Sequence, residues 1–572
     1  MGLFKNKVSA PWEKFYKKKE LNIKVPNISI YDLLEKRASE IPTAPAIHYY
    51  GKNISYKSFL KQIDQAAKAF RSQGVRSGDV VTICMPNIPE ALICFYGLNK
   101  IGAIANMIHP LSAEEEIKNY LNSTNSVMLI MIDTVLDKIK AIINETNVYK
   151  TVVVSPKESM PIVLGIGYFI SKGINYNSLN IKGQFMRWSE FMLLGYKYNG
   201  NYKVKLGKDD PAVILHSGGT TGSPKGIILS NGNFNAMALQ IRVLFSDLKE
   251  NDGILAIMPN FHGFGLAVSM HAPLYIGAKL ILIPKFDSKT FDKTINKYKP
   301  AVLVGVPTLW EAMLSNKKFK HVDLSFLKHV VSGGDSLSAV TCSKIDVFLR
   351  EHGAKVRVEQ GYGMTESVAS TALAWKDANI AGSIGIPFPG DYYKIVMPHT
   401  QEEVSYETEG EICVSGPTVM LGYLNNEKET NEVLQKHKDG RIWLHTGDIG
   451  YMTSDGIVFY TQRLKRMIIS SGYNVYPSHI EEIIESHEGV LNCTVVGIPH
   501  PYKVQVPKAF IVLKEGYSAS KVKKELKELC EKNLAKFSLP REYEFRKSLP
   551  KTLIGKVNYK ELEKESRKKN EE

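Results

Sequence analysis

Leu60, Ile63, Ala67 and Phe70 recur at the three- and four-residue spacing of one helical face, and the pattern stops at Gly74. An unbroken apolar run follows at residues 80–85 and reads as a buried strand. The alternation returns along the chain. Residues 90–102 and 291–298 have helical periodicity, while 127–132 and 301–306 are short apolar runs. Helices alternating with strands that lack a polar side predict an α/β fold built on buried sheets.

From about residue 382 the texture changes. Short apolar runs at 392–397, 410–415 and 456–460 are separated by Gly, Pro and Asp, which predicts a β-rich region with hairpins. A second change follows Arg463: helix-like segments at 480–486 and 519–534 and strand-like ones at 493–497 and 509–513 are enough for a small α+β domain. The charged tail after Leu562 is expected to fray. No repeat of roughly 20 to 50 residues is visible.

The 572 residues are 44% hydrophobic and 23% charged, an ordinary globular balance that excludes global disorder. A formal charge of +15 is compatible with anionic partners, but the lysines are dispersed. There is no RNP-type aromatic run, zinc-finger spacing or basic region with heptads, so nucleic acid is not an expected partner. Six scattered cysteines without a CxxC pair favour reduced thiols and a cytoplasmic location. The first thirty residues lack a continuous apolar stretch, and Asn6 stands where a myristoylation signal wants Ser or Thr. The apolar segment 161–170 is about half the roughly 20 residues that a membrane-spanning helix needs. Peripheral contact with the inner face of a membrane stays compatible with this surface.

The strongest chemical signal is Ser217-Gly218-Gly219-Thr220-Thr221-Gly222-Ser223-Pro224-Lys225-Gly226, directly after the apolar run 212–215. Glycines let backbone amides approach an anion, hydroxyls add donors and a lysine adds charge, a combination suited to a polyphosphate. A nucleotide P-loop requires Ser or Thr after its lysine and a helix beneath it. Here Gly226 and the strand-like run 227–229 follow, so that reading fails.

This stretch resembles the phosphate signature of the AMP-forming acyl-adenylate family, which includes acyl-CoA synthetases, firefly-type luciferases and nonribosomal adenylation domains. Further segments resemble that family's motifs in its order: Gly361-Tyr362-Gly363-Met364-Thr365-Glu366, Thr446-Gly447-Asp448, Arg463-Leu464-Lys465 and Pro550-Lys551-Thr552-Leu553-Ile554-Gly555-Lys556. The resemblance implies a large N-terminal adenylation domain over residues 1–462, and a small mobile lid over 463–572 that turns about Lys465. It also implies a role for each motif. Ser217, Gly218, Gly219, Thr220, Thr221, Gly222 and Lys225 would hold the ATP phosphates. Thr365 would meet the α-phosphate, and Glu366 would offer Mg²⁺ a hard carboxylate oxygen. Gly333, Gly334, Tyr362 and Gly363 would line the adenine, and Asp448 and Arg463 would take the ribose. His262, in Pro259-Asn260-Phe261-His262-Gly263, would gate the acid's entrance, and residues 306–308 would border the acyl pocket. Lys556 would bridge the carboxylate nucleophile and the α-phosphate. After domain rotation, residues 470–473, with Gly472 for close approach, would line a pantetheine tunnel.

The family pattern is not matched everywhere. Gln462 replaces a frequent Gly, Arg466 a frequent Asp and Gly218 a frequent Ser, which leaves the hinge electrostatics open. The activity implied is transfer of AMP from MgATP to a carboxylate, then of the acyl group to coenzyme A. No carrier domain follows Lys556, favouring free coenzyme A, and the N-terminal arrangement with the apolar insertion at 161–188 resembles bacterial long-chain fatty acyl-CoA synthetases. Another carboxylic acid, a carrier-protein thiol, or a silent scaffold of the same fold are the competing readings.

Overall fold

The computed structural model describes residues 8–161, 181–217, 225–335, 337–466, 468–470, 473–500, 504–536, 538–551 and 557–571. Among them, two large sheets form the bulk of the molecule. One has eight strands, and its centre is parallel: Ile104–Met107, Val80–Cys84, Met128–Ile132 and Lys150–Val154 run side by side. Met128–Ile132 is buried at every position between two parallel neighbours, which is why its sequence has no polar alternation. The second sheet has nine strands, with a parallel centre through Lys279–Leu282, Gly253–Ala256, Val302–Gly305, His329–Ser332 and Val358–Tyr362.

The helices follow the apolar spacing. Tyr56–Ser72 starts on Ser55, whose side chain accepts the Ser58 N–H, and buries Phe59, Ile63, Ala67 and Phe70. It ends just before Gly74, at φ +89°. Pro89–Lys100 is buried along its whole length, with proline in its first turn.

A third, five-stranded antiparallel sheet carries Tyr392–Val396, Gly410–Ser415, Leu434–Lys436, Ile442–Met452 and Val458–Arg463. One hydrophobic core runs through these three sheets, from Trp12 to Val458. Residues after 467 build two cores of their own around a further five-stranded sheet. Between the cores lies the short 3₁₀ turn Leu464–Arg466, where Lys465 is exposed. The charged end of the chain forms a terminal helix, Tyr559–Glu571, which is anchored near its start by Leu562, fully buried in the last core. All six cysteines are free and buried. No described helix is long and apolar enough to cross a membrane.

Candidate active site

Several motif residues sit at the carboxyl ends of parallel strands, where open α/β sheets place their ligands. Ser217 ends Pro211–Ser217, Gly333 follows His329–Ser332, and Tyr362 ends Val358–Tyr362. Ser217 pairs with Lys225 across an antiparallel ladder, so the glycine and hydroxyl segment joins two strands. Residues 218–224, carrying Gly218, Gly219, Thr220, Thr221 and Gly222, lie outside the described residues. The Lys225 ammonium contacts the Glu429 carboxylate and lies 5.1 Å from the centre of the Tyr423 ring. That partnership has no signal in the motif and shows how the cation is held in place.

Thr365–Ser367 forms one 3₁₀ turn. Its main chain then reverses at Val368, with φ +68° and ψ −59°, and the Ala369 N–H donates to the Ser367 carbonyl at 2.8 Å. This is a γ-turn of the rarer, strained hand, held by a β-branched residue. Two glycines let the chain pack against it. A Cβ on Gly263 would fall 1.5 Å from the Val368 carbonyl oxygen, and one on Gly363 would fall 1.8 Å from that of Ala369. His262 and the Thr365-Glu366 turn are therefore parts of one packed unit. The Tyr423 hydroxyl donates to Glu366 Oε1 at 2.9 Å, and the Met420 N–H donates to the Glu366 carbonyl at 2.8 Å. Tyr423 was not visible as a site residue in the sequence.

The loop bearing His262 is tied across the two large sheets. Asn87 Nδ2 donates to the carbonyls of Ala256 and Met258 at 3.0 and 2.9 Å, and Asn87 Oδ1 accepts the Asn260 N–H at 2.9 Å. Gly333 lies against Phe264, whose ring would be 3.1 Å from an added Cβ, and Gly334 adopts φ +80°. These close approaches explain the glycine pair before any ligand is considered.

Asp448 and Arg463 face each other on adjacent antiparallel strands. Arg463 Nε lies 3.0 Å from Asp448 Oδ1, and the Tyr362 hydroxyl donates to Asp448 Oδ2 at 2.6 Å. Arg463 also donates to the Thr446 carbonyl at 3.2 Å. Asp448 is the main cause of the rise in the Arg463 pKa, whereas burial is the main cause for Tyr362. Three separate motifs thus meet in one hydrogen-bonded knot.

Lys556 and Gly472 lie outside the described residues. Lys551 and Val557 form an isolated antiparallel bridge, and the Asn558 N–H donates to the Pro550 carbonyl at 2.8 Å, so the base of the Lys556 segment is closed. The Lys551 charge acts on Glu311, in the helix Pro307–Ser315. Asn492 of the C-terminal region donates to the same Glu311 at 3.4 Å.

The residues present fit nucleotide and metal. Glu366 supplies a hard oxygen of the kind Mg²⁺ takes from one or two carboxylates while retaining water.

Residues 34–424 match the family model for AMP-binding enzymes, and 479–556 match that for the AMP-binding enzyme C-terminal domain. The chain is 33% identical over 541 residues to a long-chain-fatty-acid–CoA ligase of Bacillus subtilis, covering 93% of this chain and 94% of that protein. It is 30% identical over 568 residues to a probable 4-coumarate–CoA ligase of Dictyostelium discoideum, covering 97% and 98%. The fold superposes on the crystal structure of an anthranilate CoA ligase in complex with anthranoyl-AMP, with TM-score 0.82 at 24% identity over 96% of this chain and 99% of that one.

Proposed function

The chain belongs to the AMP-binding enzyme family as an adenylate-forming acid–CoA ligase using ATP and coenzyme A, and from that premise we propose that its acid is a fatty acid of medium to long chain. The observation that carries the substrate reading is the near full-length similarity to a relative named for long-chain fatty acids. The exposed Leu193 and Tyr196, on the helix that follows the apolar insertion, are compatible with capture of such an acid from a membrane surface.

In this reading the carboxylate oxygen attacks the α-phosphorus of ATP, the bond to pyrophosphate breaks, and an acyl-adenylate forms. The thiol of coenzyme A then attacks the acyl carbon, and AMP leaves. Positioning and charge neutralisation carry the first step. Asp448 and Arg463 fix the ribose, Thr365 donates to the α-phosphate, and Lys225 and the 217–222 segment hold the outer phosphates. Glu366 would hold Mg²⁺, which would supply neutralisation of phosphate charge. Lys556 draws the two anions together, and His262 stands at the acid's entrance. The 30% identity to a 4-coumarate–CoA ligase supports an aromatic acid as the second reading.

The discriminating experiment is acid-dependent exchange of pyrophosphate into ATP with short, medium, long and aromatic carboxylates, followed by thioester detection with coenzyme A. Exchange that rises with aliphatic chain length is expected. Exchange confined to aromatic acids would reject the fatty-acid reading, and orthophosphate as the sole product would reject the chemistry.

A further inference from the structure

The Thr446-Gly447-Asp448 segment is a disruption of a sheet. On the strands Gly410–Ser415 and Ile442–Met452, Cys413 faces His445 while Glu411 faces Ile449. One residue, Ile412, thus stands opposite three, Thr446, Gly447 and Asp448. Such a bulge bends a strand and re-aims a side chain, and here the re-aimed group is the Asp448 carboxylate. Gly447 adopts φ +66°, Thr446 Oγ1 donates to the Ile412 carbonyl at 2.6 Å, and the Asp448 N–H donates to Thr446 Oγ1 at 3.1 Å.

What holds the bulge open is a buried side-chain chain. Glu411 Oε1 accepts the Gly447 N–H at 2.9 Å, and Glu411 Oε2 accepts His445 Nδ1–H, also at 2.9 Å. His445 Nε2 lies 2.9 Å from His437 Nε2. A neutral imidazole has one N–H. With Nδ1 of His445 donating to the carboxylate, the two facing Nε2 atoms of His445 and His437 share one proton between them. Burial pushes the His437 pKa down to about 4, with the Lys394 and His445 charges adding to it, which keeps this ring neutral. Glu411, His445 and His437 are all more than nine-tenths buried.

We propose that Glu411 and His445 are positioning residues for nucleotide binding, holding the Thr446–Asp448 bulge so that Asp448 meets the ribose hydroxyls in one fixed orientation. The inference rests on the reading of Asp448 as the ribose acceptor. Ligand atoms of Glu411, Cys413 and His445 also lie within 4.8 Å of one another, as in a metal site. However, both ring nitrogens of His445 and both oxygens of Glu411 are already engaged, which favours the hydrogen-bonded chain.

The test compares KM for ATP, acid and coenzyme A in Glu411→Ala, Glu411→Gln, His445→Phe and Asp448→Ala, each checked for a cooperative melt. Losing the chain is expected to raise KM for ATP roughly tenfold, the scale of one buried hydrogen bond, with the other two constants within about twofold. Glu411→Gln keeps an oxygen for the Gly447 N–H and is nearly isosteric, so it should fold and show a smaller rise confined to ATP. An unchanged KM for ATP in folded Glu411 and His445 variants, with a raised one in Asp448→Ala, would overturn the inference alone. An equal rise in all three constants would reduce the chain to general structure. Zinc retained by purified protein and lost in Cys413→Ser would make the cluster a metal site instead. If Asp448→Ala itself left KM for ATP unchanged, the ribose reading would fall and take the premise with it.

Discussion

Asp448 and Glu90 are carboxylates with 2% and 1% exposure, and their neighbours differ in kind. Asp448 faces a guanidinium and a phenol. Glu90, at the start of the helix Pro89–Lys100, takes a hydrogen bond from the Ser159 hydroxyl at 2.5 Å and, among the described residues, has no cationic partner in contact. Burial without a counter-charge raises the Glu90 pKa from 4.5 to about 7. The folded state therefore holds a proton that the unfolded state gives up near pH 4.5. Stability from this group is full below that pH and is lost as pH rises through about 7, by roughly 3 kcal/mol, since each tenfold difference in proton affinity between the two states is worth about 1.4 kcal/mol. Glu90→Gln retains an acceptor oxygen for Ser159 and removes the titration. Denaturant unfolding at pH 5 and pH 8 should show the variant gaining on the parent as pH rises; a difference independent of pH would contradict the assignment.

Between elements, a close approach can outweigh propensity. Gly195 sits inside the helix Trp188–Lys197, where glycine costs about 1 kcal/mol relative to alanine. Yet a Cβ there would fall 2.0 Å from the Gln65 carbonyl of the helix Tyr56–Ser72, and Gln65 Nε2 donates to the Met192 carbonyl at 2.8 Å across the same contact. Gly195→Ala should therefore destabilise despite the better helix former, by about 1–3 kcal/mol as in other overpacked sites. A lowered denaturation midpoint with an unchanged KM for ATP is the expected pair of results. The same balance explains what was legible in advance. Periodicity located Tyr56–Ser72 and Phe291–Tyr298, because each buries one face, and an unbroken apolar run located Met128–Ile132, because it is buried at every position. It did not reveal the π-helix Phe264–His271, whose residues are almost all apolar and give no period. Nor did it reveal the Val368 turn, the Tyr423 contact or the Glu411 chain, because those arise from residues brought together across distant strands. Resemblance to family motifs marked Asp448 and Arg463; only register shows that they face each other within a bulged sheet.

The whole molecule has separate cores on either side of Leu464–Arg466, and among the described residues polar contacts between the two units include Asn492 with Glu311 at 3.4 Å and His479 with Glu409 at 3.8 Å. Such a boundary between two separate cores suits a rotation that serves two steps of one reaction. Lys551 and Val557, which frame the Lys556 segment, belong to the small unit, and the Lys551 charge reaches Glu311 of the large one. In the reaction proposed above, Lys556 would act in the orientation that forms the adenylate, and Gly472 in the one that admits the thiol. The two half-reactions should respond separately. Lys556→Ala is expected to slow acid-dependent pyrophosphate exchange by roughly 100- to 1,000-fold, the cost of one preorganised charge donor, while thioester formation from supplied acyl-adenylate falls far less. Gly472→Trp should do the reverse, sparing exchange and blocking thioester release. Equal loss of both half-reactions in either variant would place that residue outside the division of labour and count against a rotation about Lys465.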